Sequence, residues 1–440
     1  MGGSGGQAGA PLDILQQLQG IEGATIDEQP SDVAGYRFFL ITFDQPVDHK
    51  NPAGQRFQQR IALHHRDSQA PTVLVSTGYT LWYPSQYLEE PTAMVSGNQL
   101  IVEHRYFTPS RPDPADWSKL TIEQAAGDHH RIVQAFKTIY PGHWVSTGAS
   151  KGGMTSVYHR RFYPTDVDGT IAYVAPHSAG LDDSRYIDFL ATVGDATCRT
   201  KLHDFEREVL NRRTFMLAQM ADQASNLGLT YNYFSLDATL ESLTMWFTWT
   251  FWQYYGASRC ADIPTAAASD ITVWNFFDEI AGTATSADDS TLLFEPYYWQ
   301  ADTQLGTPGL NAMHLQDLLT IDQSKLDDCP TIAAEPVFDP MAMQDVGNWL
   351  KTQGTGFLFI YGGDDPWSAG AFDLGAAKDS FRFYAAGKNH GAVIADLAPE
   401  DRAKAEAAVS AWTGVSVGQP LKNTFGAPFD VRKRRQLRPR

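Results

Sequence analysis

Ser150 lies at the centre of Gly148-Ala149-Ser150-Lys151-Gly152, entered by the short run Trp144-Val145-Ser146-Thr147 and left by helical text over residues 154–162. A strand, a Gly-x-Ser-x-Gly turn and a helix hold a serine on a strained turn with its hydroxyl exposed, the setting of a nucleophile. Glycines flank it because the turn brings backbone segments closer than a Cβ allows. The residue after such a serine offers its backbone N–H to a developing oxyanion, which assigns that part to the Lys151 amide. Two other stretches match the pattern. Gly2-Gly3-Ser4-Gly5-Gly6 lies in a Gly-rich leader, and Gly414-Val415-Ser416-Val417-Gly418 follows a helical stretch (401–412) instead of preceding one. Only Ser150 has the strand before it and the helix after.

A serine nucleophile needs a base, and the base needs a carboxylate to orient it. Where the serine occupies a strand–helix elbow, the acid and then the histidine follow it along the chain. Of 12 histidines, His390 alone lies beyond the last strand-like acid candidate. It sits in a glycine-flanked loop after Phe381-Arg382-Phe383-Tyr384, while Phe357-Leu358-Phe359-Ile360-Tyr361 runs into Gly362-Gly363-Asp364-Asp365-Pro366-Trp367. The expected set is Ser150 as nucleophile, Asp365 as orienting carboxylate and His390 as general base. Singly, a turn aspartate and a surface histidine need no function. Three in this order, each at a strand's end, converge on one site. The apolar run Pro71-Thr72-Val73-Leu74-Val75-Ser76 ends in Thr77-Gly78-Tyr79-Thr80, where a second oxyanion donor belongs. The Tyr79 amide is the expected one.

Placing these groups requires a sheet. Residues 36–43 and 56–64 read as a hairpin across the turn-forming Asp48-His49-Lys50-Asn51-Pro52-Ala53-Gly54. Strand text at 71–76, 99–106 and 170–176 alternates with helical text at 122–140 and after the elbow, which predicts a parallel sheet. From about 181 to 349 the chain turns helical and aromatic, densest at Met245-Trp246-Phe247-Thr248-Trp249-Thr250-Phe251-Trp252. An insertion there reads as a cap over the carboxyl edge of the sheet, where ligands bind. The aromatic run reads first as core. Trp246, Trp249 and Trp367 are the candidates for a substrate-facing wall. The expected organisation is a flexible leader (1–20), a first core part (21–180), a helical cap (181–350), a second core part (351–425) and a solvated basic tail (426–440).

At 440 residues the chain is too long for one core, and 43% hydrophobic with 12% aromatic content is globular. A net charge of −17 excludes a nucleic-acid partner, which demands a basic face. No apolar run approaches the ~20 residues of a membrane span. Cys198, Cys260 and Cys329 are too far apart for a CxxC site. In a secreted protein one pair would be bridged, and the spacing leaves every pairing open. The adjacent pairs His64-His65 and His129-His130 do not place ligands on one face. No HExxH, GxGxxG or Walker loop occurs, so no metal and no cofactor are expected.

Four stretches carry a family likeness: Phe43-Asp44-Gln45-Pro46-Val47-Asp48-His49 with Phe57-Gln58-Gln59-Arg60, Val102-Glu103-His104-Arg105-Tyr106-Phe107, the Ser150 elbow, and Asp365-Pro366-Trp367. In these the chain resembles the serine peptidases that cleave after proline, the group of prolyl carboxypeptidase and dipeptidyl peptidase II. The likeness spans the core and not the cap. In that group the aspartate before Pro-Trp is the triad acid, which selects Asp365 over Asp364. The animal enzymes carry Gly-Ser-Tyr-Gly-Gly at the elbow. The Ser150-Lys151-Gly152-Gly153 form here is similar to the secreted bacterial prolyl tripeptidyl and tetrapeptidyl aminopeptidases.

The resemblance implies an α/β-hydrolase core with an inserted helical cap, an extracellular location, and a peptide partner with a free N-terminus and proline at the cleavage site. No secretion signal precedes the core, and the Gly-rich leader reads as a tag or linker standing where such a segment was removed. Binding the substrate ammonium requires a cap carboxylate, with Glu206, Asp237 and Glu241 available. The triad alone suits two other readings: a carboxylic-ester hydrolase (esterase or lipase) on the same fold, and an inactive binding protein that kept the scaffold.

Overall fold

A computed structural model of the protein describes residues 12–418, apart from 83, 323–325 and 327. The basic tail and the first eleven residues of the leader lie outside the described residues. The expectation of a flexible leader to residue 20 is corrected by α1 (Ile14–Gln19). Asp13 accepts from Leu15 N at 2.9 Å, Gln16 Oε1 accepts from Asp13 N at 3.2 Å, and Ile14 and Leu18 are buried. A reciprocal cap plus two buried side chains is enough to hold one turn in place.

Nine described strands form one sheet: β1 (Ala24–Gln29), β2 (Arg37–Pro46), β3 (Arg56–His65), β4 (Thr72–Ser76), β5 (Asn98–Val102), β6 (Trp144–Ala149), β7 (Gly169–Tyr173), β8 (Phe357–Gly362) and β9 (Phe381–Ala385). Their order is β1-β2-β3-β5-β4-β6-β7-β8-β9. From β1 to β5 the pairing is antiparallel, and from β5 to β9 it is parallel. The sequence pattern omits β1. Its Asp27-Glu28-Gln29 end disfavours strand, and pairing with β2 supplies the missing preference.

Outside the sheet lie α2 (Glu90–Val95), α3 (Ile122–Phe136), α4 (Lys151–Phe162) and, later in the chain, α13 (Pro399–Thr413). Strand side chains alternate between faces. Val73, Val75, Ile171 and Ile360 pack with Met94, Val409 and Trp412 on one face. Leu74, Leu100 and Trp144 pack with Ile132 and Phe136 on the other.

Between β7 and β8 the chain runs through α5 (Ser184–Leu190), α6 (Ala196–Asn211), α7 (Arg213–Leu227), α8 (Leu236–Met245), α9 (Phe247–Tyr254), α10 (Asp270–Ala281), α11 (Asp288–Gln300) and α12 (Met341–Gln353). These helices carry a core of their own, including Leu202, Phe205, Phe247, Phe251 and Trp252. A Cys198–Cys260 disulfide ties α6 to the loop after α9, and the buried Cys329 thiol donates to Glu295 O at 3.8 Å.

The stretches that carry the family likeness are framework. Arg105 is fully buried and forks onto Asp128 with two 2.7 Å bonds, and it also donates to the Val47 and Lys119 carbonyls. His49 Nε2 meets the same carboxylate at 2.8 Å. Glu103, on the loop after β5, accepts from Thr80 Oγ1 at 2.7 Å, Leu81 N at 2.8 Å and Ser110 Oγ at 2.6 Å. The oxyanion-side loop after β4 is thereby fixed to the neighbouring strand's end.

Two adjacent carboxylates brace the other side. Glu90 accepts from Tyr173 Oη and Ile394 N, both at 2.9 Å, and from Ala395 N at 3.0 Å, bridging α2 to the segment after His390. Burial pushes its pKa up to about 7, and burial beside the Glu90 charge pushes Glu89 up to about 8. The folded chain therefore keeps protons that the unfolded chain releases near 4.5. The contribution of these two carboxyls to stability is full below that value and is lost as pH rises through the folded-state values. Glu89→Gln should flatten the decline between about pH 5 and pH 8 by up to ~1.4 kcal/mol per pH unit, read from urea midpoints across that range. An unchanged slope would assign it to other groups.

Candidate active site

The elbow forms as the spacing predicts, with the helix starting at once after Ser150. Ser150 sits at φ 55° and ψ −126°, donates its amide to Tyr173 O at 2.9 Å and accepts from Met154 N at 3.0 Å. A non-glycine residue at that φ is strained and stays there only when its surroundings over-determine it. Here the surroundings are backbone. A Cβ on Gly152 would lie 2.2 Å from Ser76 O, and one on Gly148 would lie 2.4 Å from Gly152 C. The elbow is pressed onto the end of β4, and only glycine permits it.

Asp365 follows β8 and caps the short helix Pro366–Gly370, accepting from Trp367 N at 3.2 Å. Its other oxygen meets His390 Nδ1 at 2.7 Å, with the carboxylate fully buried. Asp364 directs its amide to Lys388 O and makes no such contact among the described residues. The loop carrying His390 is held from the insertion, because the His390 amide donates to Gln253 O on α9 at 3.0 Å. His390 Nε2 is buried without a hydrogen-bond partner. The structure thus joins two of the three expected residues directly. The Ser150 side chain lies instead within reach of the Tyr79 hydroxyl.

The Lys151 amide is in the first turn of α4, where N–H groups have no intrahelical acceptor. The Tyr79 amide, the expected second donor, is engaged inside its own loop by Thr77 Oγ1 at 3.2 Å. The Lys151 side chain is 1% exposed. Its Nζ donates to Gly78 O at 2.7 Å and lies 5.6 Å and 5.4 Å from the Tyr79 and Phe107 ring centres. Burial holds its pKa well below the usual lysine range.

Around Ser150 a small cleft is lined by Tyr79, Met154, Ser178, Tyr297 and Trp367 among others. Trp367 packs edge-on against Trp249 at 5.0 Å, and Trp249 against Trp246 at 5.5 Å. Of the three nominated tryptophans only Trp367 lines the cleft. Trp249 is buried behind it and Trp246 lies one ring further away. Tyr297 and Ser178 escaped the sequence reading because their approach is set by folding of the insertion and no local motif marks it.

The nominated carboxylates are engaged within the insertion. Glu206 accepts from Thr248 N at 3.0 Å and pairs with His314 Nε2 at 2.6 Å. Asp237 meets Arg213 at 3.3 Å, and Glu241 accepts from Thr320 N at 2.8 Å and Ile321 N at 3.0 Å. None of them lines the Ser150 cleft. Among the described residues, His203, Glu206 and His314 are the one group whose ligating atoms lie within 4.8 Å of one another. The two imidazoles stack at 4.3 Å and 22°, and one ion cannot lie in both near-parallel ring planes as they stand.

Parallel strands that present an elbow serine at their carboxyl edge, with a buried carboxylate–imidazole pair from the later strands, place the protein in the α/β-hydrolase class. Similar solved structures include carboxyl esterase 2 of Tuber melanosporum (10% identity, 88% of this chain and 89% of that chain, TM-score 0.37). Another is the peroxisomal α/β-hydrolase Lpx1 of Saccharomyces cerevisiae (12% identity, 91% of this chain and 95% of that chain, TM-score 0.38). The chain belongs to the peptidase S37 family, described as PS-10 peptidase S37, which matches residues 8–434. It is 43% identical over 437 residues to the prolyl tri/tetrapeptidyl aminopeptidase of Streptomyces mobaraensis, covering 96% of this chain and 90% of that protein. Membership makes it a serine peptidase.

The elbow's packing is testable by one methyl group. Gly152→Ala should lower stability by about 3 kcal/mol or more, because a backbone carbonyl and not a mobile side chain occupies the space. Urea denaturation measures this. A loss under 1 kcal/mol would mean that the contact with β4 is slack.

Proposed function

We propose that the protein is a serine exopeptidase that releases N-terminal tri- and tetrapeptides by cutting after proline, through an acyl-enzyme on Ser150. The observation that carries the mechanism is the buried Asp365–His390 pair, whose outer nitrogen has no partner of its own. An unmet buried nitrogen is costly unless a bound reactant completes it. On substrate binding the Ser150 hydroxyl turns from Tyr79 to His390 Nε2, which takes its proton as Oγ attacks the carbonyl carbon of the proline. Asp365 holds Nδ1–H and stabilises the imidazolium. The tetrahedral oxyanion collapses, the C–N bond breaks, and His390 returns its proton to the leaving amine. Water, deprotonated by His390, then attacks the ester carbon, the bond to Ser150 Oγ breaks as His390 returns the proton to that oxygen, and the peptide leaves.

Similarity to the Streptomyces enzyme supports the substrate class. The flat Trp367 ring beside the serine supports a seat for the proline ring. The helical insertion is the cap of this reading, and the substrate ammonium sits against it. The Cys198–Cys260 bridge supports an extracellular, oxidising location. No described helix is long and apolar enough to cross a membrane.

Three measurements test this. Ser150→Ala should abolish fluorophosphonate labelling, and Asp365→Asn should lower kcat on the order of 10⁴-fold while the fold survives. Labelling that persists without Ser150 would remove it from the mechanism. An Ala-Ala-Pro anilide with a free N-terminus should turn over at least ~100-fold faster than its acetylated form, as loss of a charged contact of ~3 kcal/mol requires. Equal rates would mean an endopeptidase, and turnover of p-nitrophenyl esters alone would mean an esterase.

A further inference from the structure

The sequence places two donors opposite the developing oxyanion, and the structure leaves one of them occupied. The Tyr79 N–H is turned into its own loop toward Thr77 Oγ1 at 3.2 Å. The carbonyl on the opposite side of that planar peptide, Gly78 O, is pinned by Lys151 Nζ at 2.7 Å. Further bonds hold the loop from behind. Tyr79 O accepts from His104 N at 2.9 Å and from Thr77 Oγ1 at 2.6 Å, and Thr80 and Leu81 are tied to Glu103. Freeing the Tyr79 amide would mean breaking this set. The phenol of the same residue lines the cleft with Ser150 and Lys151 and lies within reach of the Ser150 side chain.

We propose that the Tyr79 hydroxyl, not its amide, is the second oxyanion donor beside the Lys151 N–H, and that the buried Lys151 side chain is the positioning residue that aims it. The ring is fixed on all sides. Phe107 and Phe294 meet it edge-on at 5.6 Å and 5.8 Å, Tyr297 lies tilted at 5.8 Å, and the Lys151 amine lies at 5.6 Å. A donor held this way needs no reorganisation when charge develops, which is what makes oxyanion hydrogen bonds effective. Burial raises the Tyr79 pKa well above its ordinary value, so the phenol keeps its proton throughout the working range. In the resting enzyme the phenol faces the Ser150 side chain. When Ser150 turns to His390 and attacks, the phenol O–H donates to the substrate oxygen as it becomes an alkoxide, and no proton leaves the tyrosine. The buried amine beneath, with no carboxylate partner among the described residues, thereby acquires a purpose beyond packing: it locks the Gly78–Tyr79 peptide and supports the ring.

The inference rests on Ser150 being the nucleophile, and the test separates the two. Tyr79→Phe keeps the ring and its packing and removes only the hydroxyl. Its kcat should fall about 100- to 1000-fold on a prolyl anilide, with KM within about threefold of the parent and an unchanged thermal midpoint. Lys151→Met should lower kcat in the same direction, and the double variant should be no slower than Tyr79→Phe alone, because both act through one O–H. A Tyr79→Phe kcat within about threefold of the parent, a loss carried by KM, or losses that multiply in the double variant would each overturn the assignment. If the parent turns over no prolyl substrate, the peptide reading fails by itself. The same comparison on a p-nitrophenyl ester then still decides the role of Tyr79.

Discussion

A serine held at positive φ by backbone on two sides is the constraint from which the rest follows. Its amide bonds to the end of β7, and its two glycines press on β4 and on each other. Strain of this kind costs roughly 1–3 kcal/mol and persists only if the frame cannot relax. The sheet is that frame: β4 and β7 are buried along their whole length, and β6 up to its last residue. The fully buried Arg105–Asp128 fork and the Glu103 hub then fix the loops at the carboxyl edge. Residues that define the family likeness outside the elbow and Asp365 therefore serve chemistry at one remove, by denying the loops freedom.

The second half of the site comes from the other side of the insertion in sequence, and the insertion is what joins it to the first. Asp365 and His390 end successive parallel strands, and their contact follows from the register of β8 and β9. Trp367, two residues past the acid, packs on Trp249 of α9. The aromatic run that looks in the text like plain core is mostly that, as Phe247, Phe251 and Trp252 show. One face of it stands behind the cleft, where Trp249 backs the Trp367 ring.

The sheet and elbow were legible because their signals are local: continuous apolar runs for buried strands, and glycines where backbones touch. The pairing of Asp365 with His390 was legible from chain order, with Asp365 chosen over Asp364 on the family likeness, and the two side chains meet at 2.7 Å. What escaped was decided by partners far away in the text. α1 grew out of what looked like leader because Ile14 and Leu18 found the sheet. Two of the three tryptophans expected as a wall stand behind the one that lines the cleft. Glu206, Asp237 and Glu241 look available in the sequence, but their charges are consumed by neighbouring helices. Tyr79 lines the cleft as expected, but its amide, the atom the sequence points to, is engaged within its own loop. Nothing in the sequence says that Thr77 takes its amide.

The bond from the His390 amide to the last turn of α9 gives the molecule an interlock. A peptide that entered by displacing that helix would drag the imidazole with it or snap the bond, and in either case the proton acceptor would be out of register. Helix α9 and the imidazole are thus one mechanical part, and any displacement of the helix is felt at the ring.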